Sequence, residues 1–338
     1  MCSLRLIWSA RFDAIVALTS PPLISLLGAI LARIQHARFI FWVMDLNPDE
    51  AIAAGWLNER SVAAAFLRNC LHYSLRQAAG IVVLDRFMRQ RILDKGIANE
   101  TVTILPPWAQ DDQVMFDPQG REAFRLKYEL TDKFVVMYSG NHSPCHPLAT
   151  LLEAARQLAD HPNLIFCFVG GGTEHKRVKA FAKAHQLQNI RCLPYQPLSS
   201  LSASLSAADL HVVVMGDSFT GIVHPCKIYN LLAINGPVLY IGPAPSHVTD
   251  IFLAAKELRF HTAGHNDVSK VVQSVLAAER NKPPKRSFPA GVAKRFSKSV
   301  LLPELVRIIE EAGPVGVESA ANNDPQAASH YALQISDT

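Results

Sequence analysis

The sequence predicts an α/β protein made of two Rossmann-like domains, each built on a parallel sheet. The chain has 338 residues, which exceeds most single cores and favours two domains. Short runs of β-branched and aromatic residues alternate with helical patterns, as in a parallel sheet wrapped by helices. The strand-like runs are apolar along their whole length, so both faces of each sheet should be covered.

The first domain is predicted at residues 1–110 and shows the strand-helix rhythm in few units. Its predicted strands are 13–19, 38–45, 80–85 and 101–106, and its predicted helices are 22–34 and 61–79. A proline-rich stretch, ILPPWAQDDQVMFDPQG, interrupts the pattern, and we place a linker at 111–130.

The second domain is predicted at 131–312. Its strands are 134–138, 164–169, 190–195, 210–215 and 237–242. The remaining segment, 313–338, is rich in Ala, Asn, Ser and Gly without an apolar period, which predicts a disordered tail.

Composition excludes several classes of protein. Apolar residues make up 49% of the chain and charged residues 18%, a balance that supports large cores. The net charge of +4 comes without a dense Lys/Arg block, so nucleic acid is not an expected partner. The longest apolar stretch falls short of the ~20 residues that cross a bilayer. The opening residues lack the apolar core of a secretory signal, and the six cysteines form no CxxC pair, which together predict a cytoplasmic protein with reduced thiols.

Two strand-to-helix loops are candidate phosphate sites. In FVVMYSGNHSPCHPLATLLEAA, Gly140 removes side-chain bulk at a strand end, and the following helix offers free N–H groups to a diphosphate. In FVGGGTEHKRVKAFA, three glycines, 170–172, allow close backbone approach, although the GxGxxG dinucleotide fingerprint is absent. A purely structural crossover turn remains an open alternative for both loops.

A third loop, MGDSFTGIVHPCKIYNLLAINGPVLYIGP, gives the strongest signal. It leads into a helix that begins near Cys226 and places Lys227 in the first turn. A lysine there opposes the helix dipole unless an anion shares the site, which indicates anion binding. The alternative is that Lys227 extends into solvent.

Histidines 142, 146 and 224 all lie on these loops. His142, Cys145 and His146 could in principle ligate a metal, but their spacing matches no closed zinc pattern. We favour hydrogen-bonding roles toward phosphate or sugar hydroxyls and expect no metal.

The ordered motifs resemble one known family. The segments SGNHSPCHP, FVGGG, LPYQP, SAADLHVV, GIVHPCKIYN and GPVLYIGP resemble the C-terminal domain of retaining glycosyltransferase family 4, of the kind used in bacterial cell-surface polysaccharide assembly. FWVMDLNPDEA and GIVVLDRFMRQRI resemble parts of the N-terminal domain of the same family. The resemblance implies a GT-B fold, with donor and acceptor bound on facing domains. A full acceptor domain opens with a further strand and glycine-rich loop, so we expect the first domain to be incomplete.

The resemblance also implies roles for individual residues. The donor, a UDP- or GDP-type sugar, would be a substrate rather than a cofactor, and the acceptor would be a lipid-linked or growing glycan. Lys227 and His224 would frame the departing diphosphate, and Asp45 is a candidate acceptor contact, with helix capping or a salt bridge as the alternative. The expected donor-binding residues are Gly140, Asn141, His142, His146, Gly170, Gly171, Gly172, Tyr195, Gln196, Gly221, Ile222, Pro225, Tyr229 and Asn230.

Two departures from the family pattern stand out. Many members carry an Arg and a Lys where this chain has Asn141 and His146, which reduces the positive charge there. Members often have two glutamates eight residues apart where this chain has Ile222 and Asn230.

Three functions remain open at this stage: an active glycosyltransferase, a nucleotide-sugar-binding remnant, and a GT-B-like sugar-nucleotide epimerase. Basic residues near the second predicted helix also admit two interpretations, contact with an anionic membrane at the inner face of the cell or a solvated helix face. These residues are Arg68, His72, Arg76, Arg86, Arg89, Arg91 and Lys95.

Overall fold

A computed structural model describes residues 11–109, 114–255, 259–281 and 291–313. Within them the chain forms two parallel sheets flanked by helices, which confirms the predicted α/β class with two parallel-sheet domains. The predicted tail beyond residue 313 and the first ten residues of the first domain lie outside the described residues.

The first sheet has the strand order β1-β2-β3-β4, with all described pairings parallel. Alternate residues of its central strands face opposite layers: Phe39 and Phe41 pack under the crossover helices, whereas Ile40 faces the other side. The strands are β1 (Ala14–Ala17), β2 (Arg38–Trp42), β3 (Gly80–Val83) and β4 (Val102–Ile104), and the helices are α1 (Ile24–Gln35), α2 (Asp49–Ala53), α3 (Val62–Gln77) and α4 (Arg86–Leu93).

The second sheet has the order β10-β9-β8-β5-β6-β7, again with parallel pairings. Its strands are β5 (Phe134–Asn141), β6 (Leu164–Gly171), β7 (Ile190–Leu193), β8 (Leu210–Val214), β9 (Val238–Ile241) and β10 (Phe260–Ala263). Its helices are α5 (Pro118–Lys127), α6 (Ala149–Gln157), α7 (Thr173–Ala184), α8 (Leu201–Ser206), α9 (Lys227–Ile234), α10 (His247–Ala254) and α11 (Val268–Arg280), followed by α12 (Gly291–Arg295) and α13 (Lys298–Glu311).

The order of the second sheet reverses at β5. The chain proceeds from β5 through β6 to β7 on one side and returns to β8 on the other. Loops that leave the carboxyl ends of β5 and β8 therefore diverge and open a crevice, which is where open α/β sheets bind ligands.

Two segments differ from the predicted domain limits. The predicted linker contains helix α5, whose Arg121 and Arg125 both form ion pairs with Asp209 at distances of 2.6 and 3.0 Å. Helix α13, placed in the second domain by the sequence analysis, packs its Leu301, Leu305 and Ile308 against the first sheet. The first sheet is thus covered on its second face by the C-terminal end of the described chain.

The two domains are in direct contact through the loop before α9. The backbone N–H of Leu46 donates a hydrogen bond to the carbonyl of Ile222 at 2.9 Å. Gly221 has a φ of 72°, and a Cβ there would lie 2.6 Å from the carbonyl oxygen of Phe87. Arg86 adds a bidentate ion pair with Asp250 across the same boundary. This loop, predicted as a donor site, is therefore also a domain contact.

Candidate active site

Lys227 is the first residue of α9 and places a buried ammonium group in the crevice beside β5. The residue is partly exposed as a whole, but its Nζ atom is buried and has no hydrogen-bond partner among the described residues. Nζ lies 3.6 Å from the ring centroid of Tyr138, a cation–π contact. Burial lowers the pKa of Lys227 to about 7, because an ammonium group without a counter-ion is poorly solvated there.

Gly140 leaves the space above this ammonium open. Its φ of 125° is unfavourable for other residues, and a Cβ there would lie 3.4 Å from Nζ of Lys227. The same two residues line a cavity of about 120 Å³, together with Ser139, His211 and Asn230. The sequence prediction placed Gly140, Lys227 and Asn230 in one site, and the structure brings them together.

The glycines of the second loop, unlike Gly140, are required by the close packing of two loops. A Cβ at Gly170 would collide with the carbonyl oxygen of Gly140, and one at Gly172 would collide with that of His142. These glycines therefore let the β6 loop pack on the β5 loop. Gly171 lies beside Tyr195, whose hydroxyl donates to its carbonyl at 3.3 Å.

Tyr195 and Gln196, the expected nucleobase contacts, lie at the outer end of the crevice. Tyr195 is 58% exposed as a residue. Gln196 donates to the carbonyl of Pro194 at 2.9 Å. Asn141, the last residue of β5, is exposed next to these loops.

His142 and His146 are both buried, and each has one ring nitrogen that finds no hydrogen-bond partner in the described part of the chain, Nε2 in His142 and Nδ1 in His146. Burial and nearby Lys227 both lower the pKa of the two imidazoles, to about 4 for His142 and about 3 for His146. Cys145 lies between them in sequence but directs its thiol to Glu50 in the first domain, at 3.6 Å. The thiol of Cys145 thus faces the first domain.

His224 is committed to protein partners on both ring nitrogens. Its Nδ1 lies 2.7 Å from Oδ2 of Asp85, and its Nε2 lies 2.7 Å from the hydroxyl of Tyr229. The ring also stacks on His247 at 3.8 Å between centroids. Direct contact between His224 and a diphosphate would require one of these hydrogen bonds to break, so its geometry favours a positioning role.

Asp85 anchors this network in the first domain. Its Oδ1 caps α4 by accepting from the backbone N–H groups of Phe87 and Met88. Burial acts to raise the pKa of Asp85, but the hydrogen bond and charge of His224 outweigh it and lower that pKa to about 2. The chain Asp85–His224–Tyr229 therefore connects the first domain to the helix that carries Lys227.

The potential ligand atoms of Asp85, His224 and His247 lie within 4.8 Å of one another, the spacing of a metal site. The 2.7 Å between Nδ1 of His224 and Oδ2 of Asp85 is a hydrogen-bond distance, which the carboxylate already satisfies. We interpret Asp85 and His224 as a hydrogen-bonded pair on which His247 stacks, with its Nδ1 3.8 Å from Oδ2 of Asp85.

Asp45 lies on the first domain and faces the loops of the second. Burial, reinforced by the charge of Glu50, raises the pKa of Asp45 to about 6. Its charge in turn acts on the thiols of Cys145 and Cys226, which places it near the loops before α6 and α9. A carboxyl group with this pKa titrates near neutrality, as acid–base groups at functional sites do.

A larger cavity of about 430 Å³ lies at the carboxyl ends of β9 and β10. Its charged residues, Asp217, Asp267 and Lys270, are exposed. The cavity offers no buried cation comparable to Lys227, so we place the anion site beside β5.

Sequence reasoning missed Asp85, Tyr138 and His247. Asp85 was assigned to the end of the predicted strand 80–85, whereas it is the N-cap of α4, and its partner His224 is 139 residues away along the chain. Tyr138 reads as one more apolar strand residue, and only the fold shows that its ring lies against Nζ of Lys227.

Comparisons with known proteins agree with this geometry. The family model described as "Glycosyl transferases group 1" matches residues 120–224, and the model "Glycosyl transferase 4-like domain" matches residues 3–108. The first match lies within the second domain and ends before Lys227, and the second match lies in the first domain. The match confirms the family predicted from the motifs.

Two curated relatives carry glycosyltransferase names. The chain is 30% identical over 223 residues to WcaI of Escherichia coli (strain K12), named as a colanic acid biosynthesis glycosyl transferase, which covers 64% of this chain and 54% of that protein. It is 25% identical over 241 residues to the glycosyltransferase WbjE of Pseudomonas aeruginosa. This match covers 71% of this chain and 60% of that protein. The chain therefore spans little more than half the length of these relatives.

Solved structures match the fold at low sequence identity. HepE of Anabaena, determined in complex with UDP and glucose, superposes with a TM-score of 0.74 at 14% identity, covering 91% of this chain and 81% of that one. Sucrose-phosphate synthase from Thermosynechococcus elongatus superposes with a TM-score of 0.66 at 14% identity. The match covers 89% of this chain and 75% of that one. The predicted GT-B fold is confirmed. With a glycosyltransferase model matched in each domain, the chain belongs to the group 1 glycosyl transferases of the family 4 type.

Proposed function

We propose that the protein transfers a sugar from a nucleoside diphosphate sugar to a lipid-linked or growing glycan, with retention of configuration and without a metal ion. The observation that carries the proposal is the buried ammonium of Lys227, which has no hydrogen-bond partner within the described parts of the chain and lies beneath Gly140 at the crevice. Burying an unpaired charge is costly, so the site is suited to a ligand that supplies the opposite charge.

The chemistry assigned to this site is mainly electrostatic. As the glycosidic bond loosens, negative charge builds on the departing diphosphate, and the ammonium of Lys227 with the N-terminus of α9 stabilises it. Asp45, on the opposite domain, is the proposed acceptor-side contact. The oxygen of the leaving diphosphate is proposed to accept the proton of the acceptor hydroxyl, so that no dedicated carboxylate base is needed.

The donor is proposed to be a UDP or GDP sugar. Support comes from HepE, which was determined in complexes with UDP and with UDP-glucose and shares the fold. A growing glycan as acceptor is supported by the relative WcaI, whose name places that protein in colanic acid biosynthesis.

Calorimetry with UDP and GDP on the full chain tests donor binding. We expect heat of binding with one of them, and a folded sample that binds neither contradicts the proposal. Product analysis with UDP- and GDP-sugars, with and without lipid-linked saccharides, tests the reaction. A glycosylated acceptor supports transfer, interconversion of the free sugar nucleotide indicates an epimerase, and binding without either product indicates an inactive binding protein.

We also propose peripheral contact with an anionic membrane at the inner face of the cell. Among the described residues, no helix is both long and apolar enough to cross a membrane. Five of the basic residues that suggested membrane contact have protein partners. Arg86 binds Asp250 and Lys95 binds Asp49, while Arg68 donates to the carbonyl of Glu59, Arg89 to Oδ1 of Asn99 and Arg91 to the carbonyl of Thr220. The proposal therefore rests on α3, with Arg76, and on its neighbour α1.

A further inference from the structure

The hydrogen-bonded ladder between β5 and β8 ends before β5 itself does. β5 pairs with β8 through Val136 and Met137, whereas its pairing with β6 continues to Asn141, the last residue of β5. From Tyr138 onward the described pairing of β5 is with β6 alone. The two strands therefore separate at the point where the order of the sheet reverses, which leaves space for a side chain between their carboxyl ends.

The side chain of Lys227 reaches from one layer of the domain to a ring of the other layer. Tyr229 of α9 belongs to the core that includes Val213 of β8, whereas Tyr138 belongs to the core that includes Val214. Successive residues of a strand face opposite sides of a sheet. The Nζ atom of Lys227 nevertheless lies 3.6 Å from the centroid of the Tyr138 ring. The lysine side chain thus crosses between the layers where the strands separate.

The ring of Tyr138 is fixed by the loop that follows β5. The residue is 1% exposed, and its hydroxyl donates a hydrogen bond to the carbonyl of Asn141 at 2.8 Å. The imidazole of His142 makes a T-shaped contact with the ring, with 4.8 Å between the two centroids. These contacts determine where the face of the Tyr138 ring points.

The ring offsets the charge of the ammonium without occupying its hydrogen-bonding capacity. The face of an aromatic ring carries partial negative charge, and its attraction for a cation is strongest where water is excluded. The Nζ atom of Lys227 is buried and has no hydrogen-bond acceptor in the described part of the chain. A carboxylate in the place of the ring would pair with the ammonium and neutralise the charge that an incoming anion needs.

Gly140 keeps the surroundings of the ammonium free of a further side chain. A Cβ at this position would lie in van der Waals contact with Nζ and Cε of Lys227, at 3.4 and 3.5 Å. Lys227 and Gly140 both line the cavity of about 120 Å³ beside β5. An anion that enters this cavity can accept hydrogen bonds from the N–H groups that the ring does not use.

We propose that Tyr138 is a positioning residue for donor binding: its ring holds the ammonium of Lys227 at the gap between β5 and β8 and stays against it when the diphosphate binds. This inference rests on the proposed function, since it assumes that the site binds a nucleoside diphosphate. Tyr138 acts through Lys227, and no covalent bond forms or breaks in this step.

Two substitutions separate the ring of Tyr138 from its hydroxyl. Tyr138→Phe keeps the ring face, and Tyr138→Leu removes it. In calorimetry on the full chain, whichever of UDP and GDP binds wild type should bind Tyr138→Leu about 5- to 30-fold more weakly. Tyr138→Phe should bind it within about threefold of wild type, because a Phe ring also attracts a cation. The corresponding nucleoside, uridine or guanosine, has no diphosphate and should bind all three proteins equally.

Phe166→Leu is the matched control for the loss of a buried ring. Phe166 lies on β6 in the same core as Tyr138 and is 0% exposed. Its substitution should lower the melting temperature as Tyr138→Leu does, but it should leave the nucleotide affinity at the wild-type value. Thermal unfolding and calorimetry on the same samples distinguish a loosened core from a displaced ammonium.

A folded Tyr138→Leu protein with wild-type affinity, or equal weakening by Tyr138→Leu and Phe166→Leu, would overturn the inference while leaving the proposed function in place. A folded wild-type protein that binds neither nucleotide would contradict the proposed function and this role of Tyr138 with it.

NMR of the wild-type protein decides if Tyr138→Leu does not fold. The Hε protons of Lys227 should resonate upfield of those of an exposed lysine, because they lie near the face of a ring. We expect this upfield shift to persist when the nucleotide that binds is added. A return to the ordinary lysine position in the complex would show that the ammonium leaves the ring, which contradicts the positioning role.

Discussion

Lys227 is expected to lower the stability of the free protein and to raise its affinity for the nucleotide. Its ammonium is buried against Tyr138 and has no hydrogen-bond acceptor among the described residues. The pKa of Lys227 falls from 10.5 to about 7 in the folded protein. The folded state therefore binds this proton less tightly than the unfolded state, and the stability of the free protein should rise between about pH 7 and pH 10.5.

We predict that Lys227→Met stabilises the free protein and weakens donor binding. Methionine fills a similar volume without a charge, so the free energy of unfolding at pH 6.5 should rise by about 1–2 kcal/mol. UDP or GDP affinity should fall about 10- to 150-fold, the equivalent of losing a charge-assisted contact of about 1.5–3 kcal/mol. Thermal unfolding and calorimetry measure the two effects on one sample.

A matched substitution of an exposed lysine on the same domain, Lys176→Met, serves as the control and should change neither quantity. A Lys227→Met protein with wild-type nucleotide affinity would show that the ammonium does not contact the diphosphate.

At the scale of elements, α4 and α9 are linked through buried side chains from different domains. Asp85 caps α4 with one carboxylate oxygen and accepts from His224 with the other. Tyr229, two residues after Lys227 on α9, completes the chain of hydrogen bonds. This arrangement fixes the position of α9 relative to the first domain.

We predict that Asp85→Asn lowers stability in a pH-dependent way. Asparagine preserves the helix cap, but its amide group cannot replace the carboxylate at His224, so the loss at pH 7 should be about 1.5–3 kcal/mol. The pKa of Asp85 falls from 3.8 to about 2 on folding, so its contribution is present above about pH 4 and disappears as the pH falls through 2. Thermal unfolding between pH 7 and pH 2 should show the two proteins converging. A constant difference down to pH 2 would argue against the carboxylate as its source.

The same group of residues gives a prediction about metals. If Asp85 and His224 form a hydrogen-bonded pair with His247 stacked on it and no metal bound, EDTA should leave both the melting temperature and the nucleotide affinity unchanged. Elemental analysis of the purified protein should find no stoichiometric metal. A melting temperature that falls with EDTA and recovers with zinc would instead indicate a metal at this group.

The elements that were predictable from sequence are those with local signals. The strands β5 to β9 of the second domain and the start of α9 at Lys227 follow from apolar runs and loop residues, whereas the edge strand β10 (Phe260–Ala263), with a largely exposed pattern, was not predicted. Helix α5 was missed inside the predicted linker, although Asp117 as N-cap and Pro118 in the first turn are ordinary helix-start signals. The prolines of the same stretch are also helix breakers, and on that basis the segment was predicted to be a linker.

The side-chain partnerships were not predictable because they join distant parts of the chain. The sequence suggested that Gly170 and Gly172 accommodate a ligand, whereas their nearest constraint is the neighbouring loop. It also suggested that His224 contacts the donor, but its hydrogen bond to Asp85 depends on how the two domains meet. No periodicity in a single sequence encodes such a contact.

For the molecule as a whole, the outer face of the first domain has the composition of a membrane-contact surface. Leu27, Ile30 and Ile34 recur at helical spacing on α1 and are 48%, 41% and 51% exposed. On the neighbouring α3, Phe66 is 57% exposed and Arg76 is also exposed. Apolar residues beside cations match the requirements of an anionic bilayer surface.

We predict that the protein co-sediments with vesicles containing anionic phospholipid, and that binding weakens as salt screens the charges. Arg76→Glu should reduce binding severalfold, because one basic residue near an anionic surface contributes about 1 kcal/mol and its reversal adds repulsion. Ile30→Ser should reduce binding at both low and high salt, since it removes apolar burial rather than charge. Lys176→Glu, the same charge reversal on an exposed helix of the second domain, is the matched control and should bind as wild type does. Binding that is indifferent to lipid charge, or equally weakened by Arg76→Glu and Lys176→Glu, would show that α1 and α3 present a solvated face and that net charge alone governs the interaction.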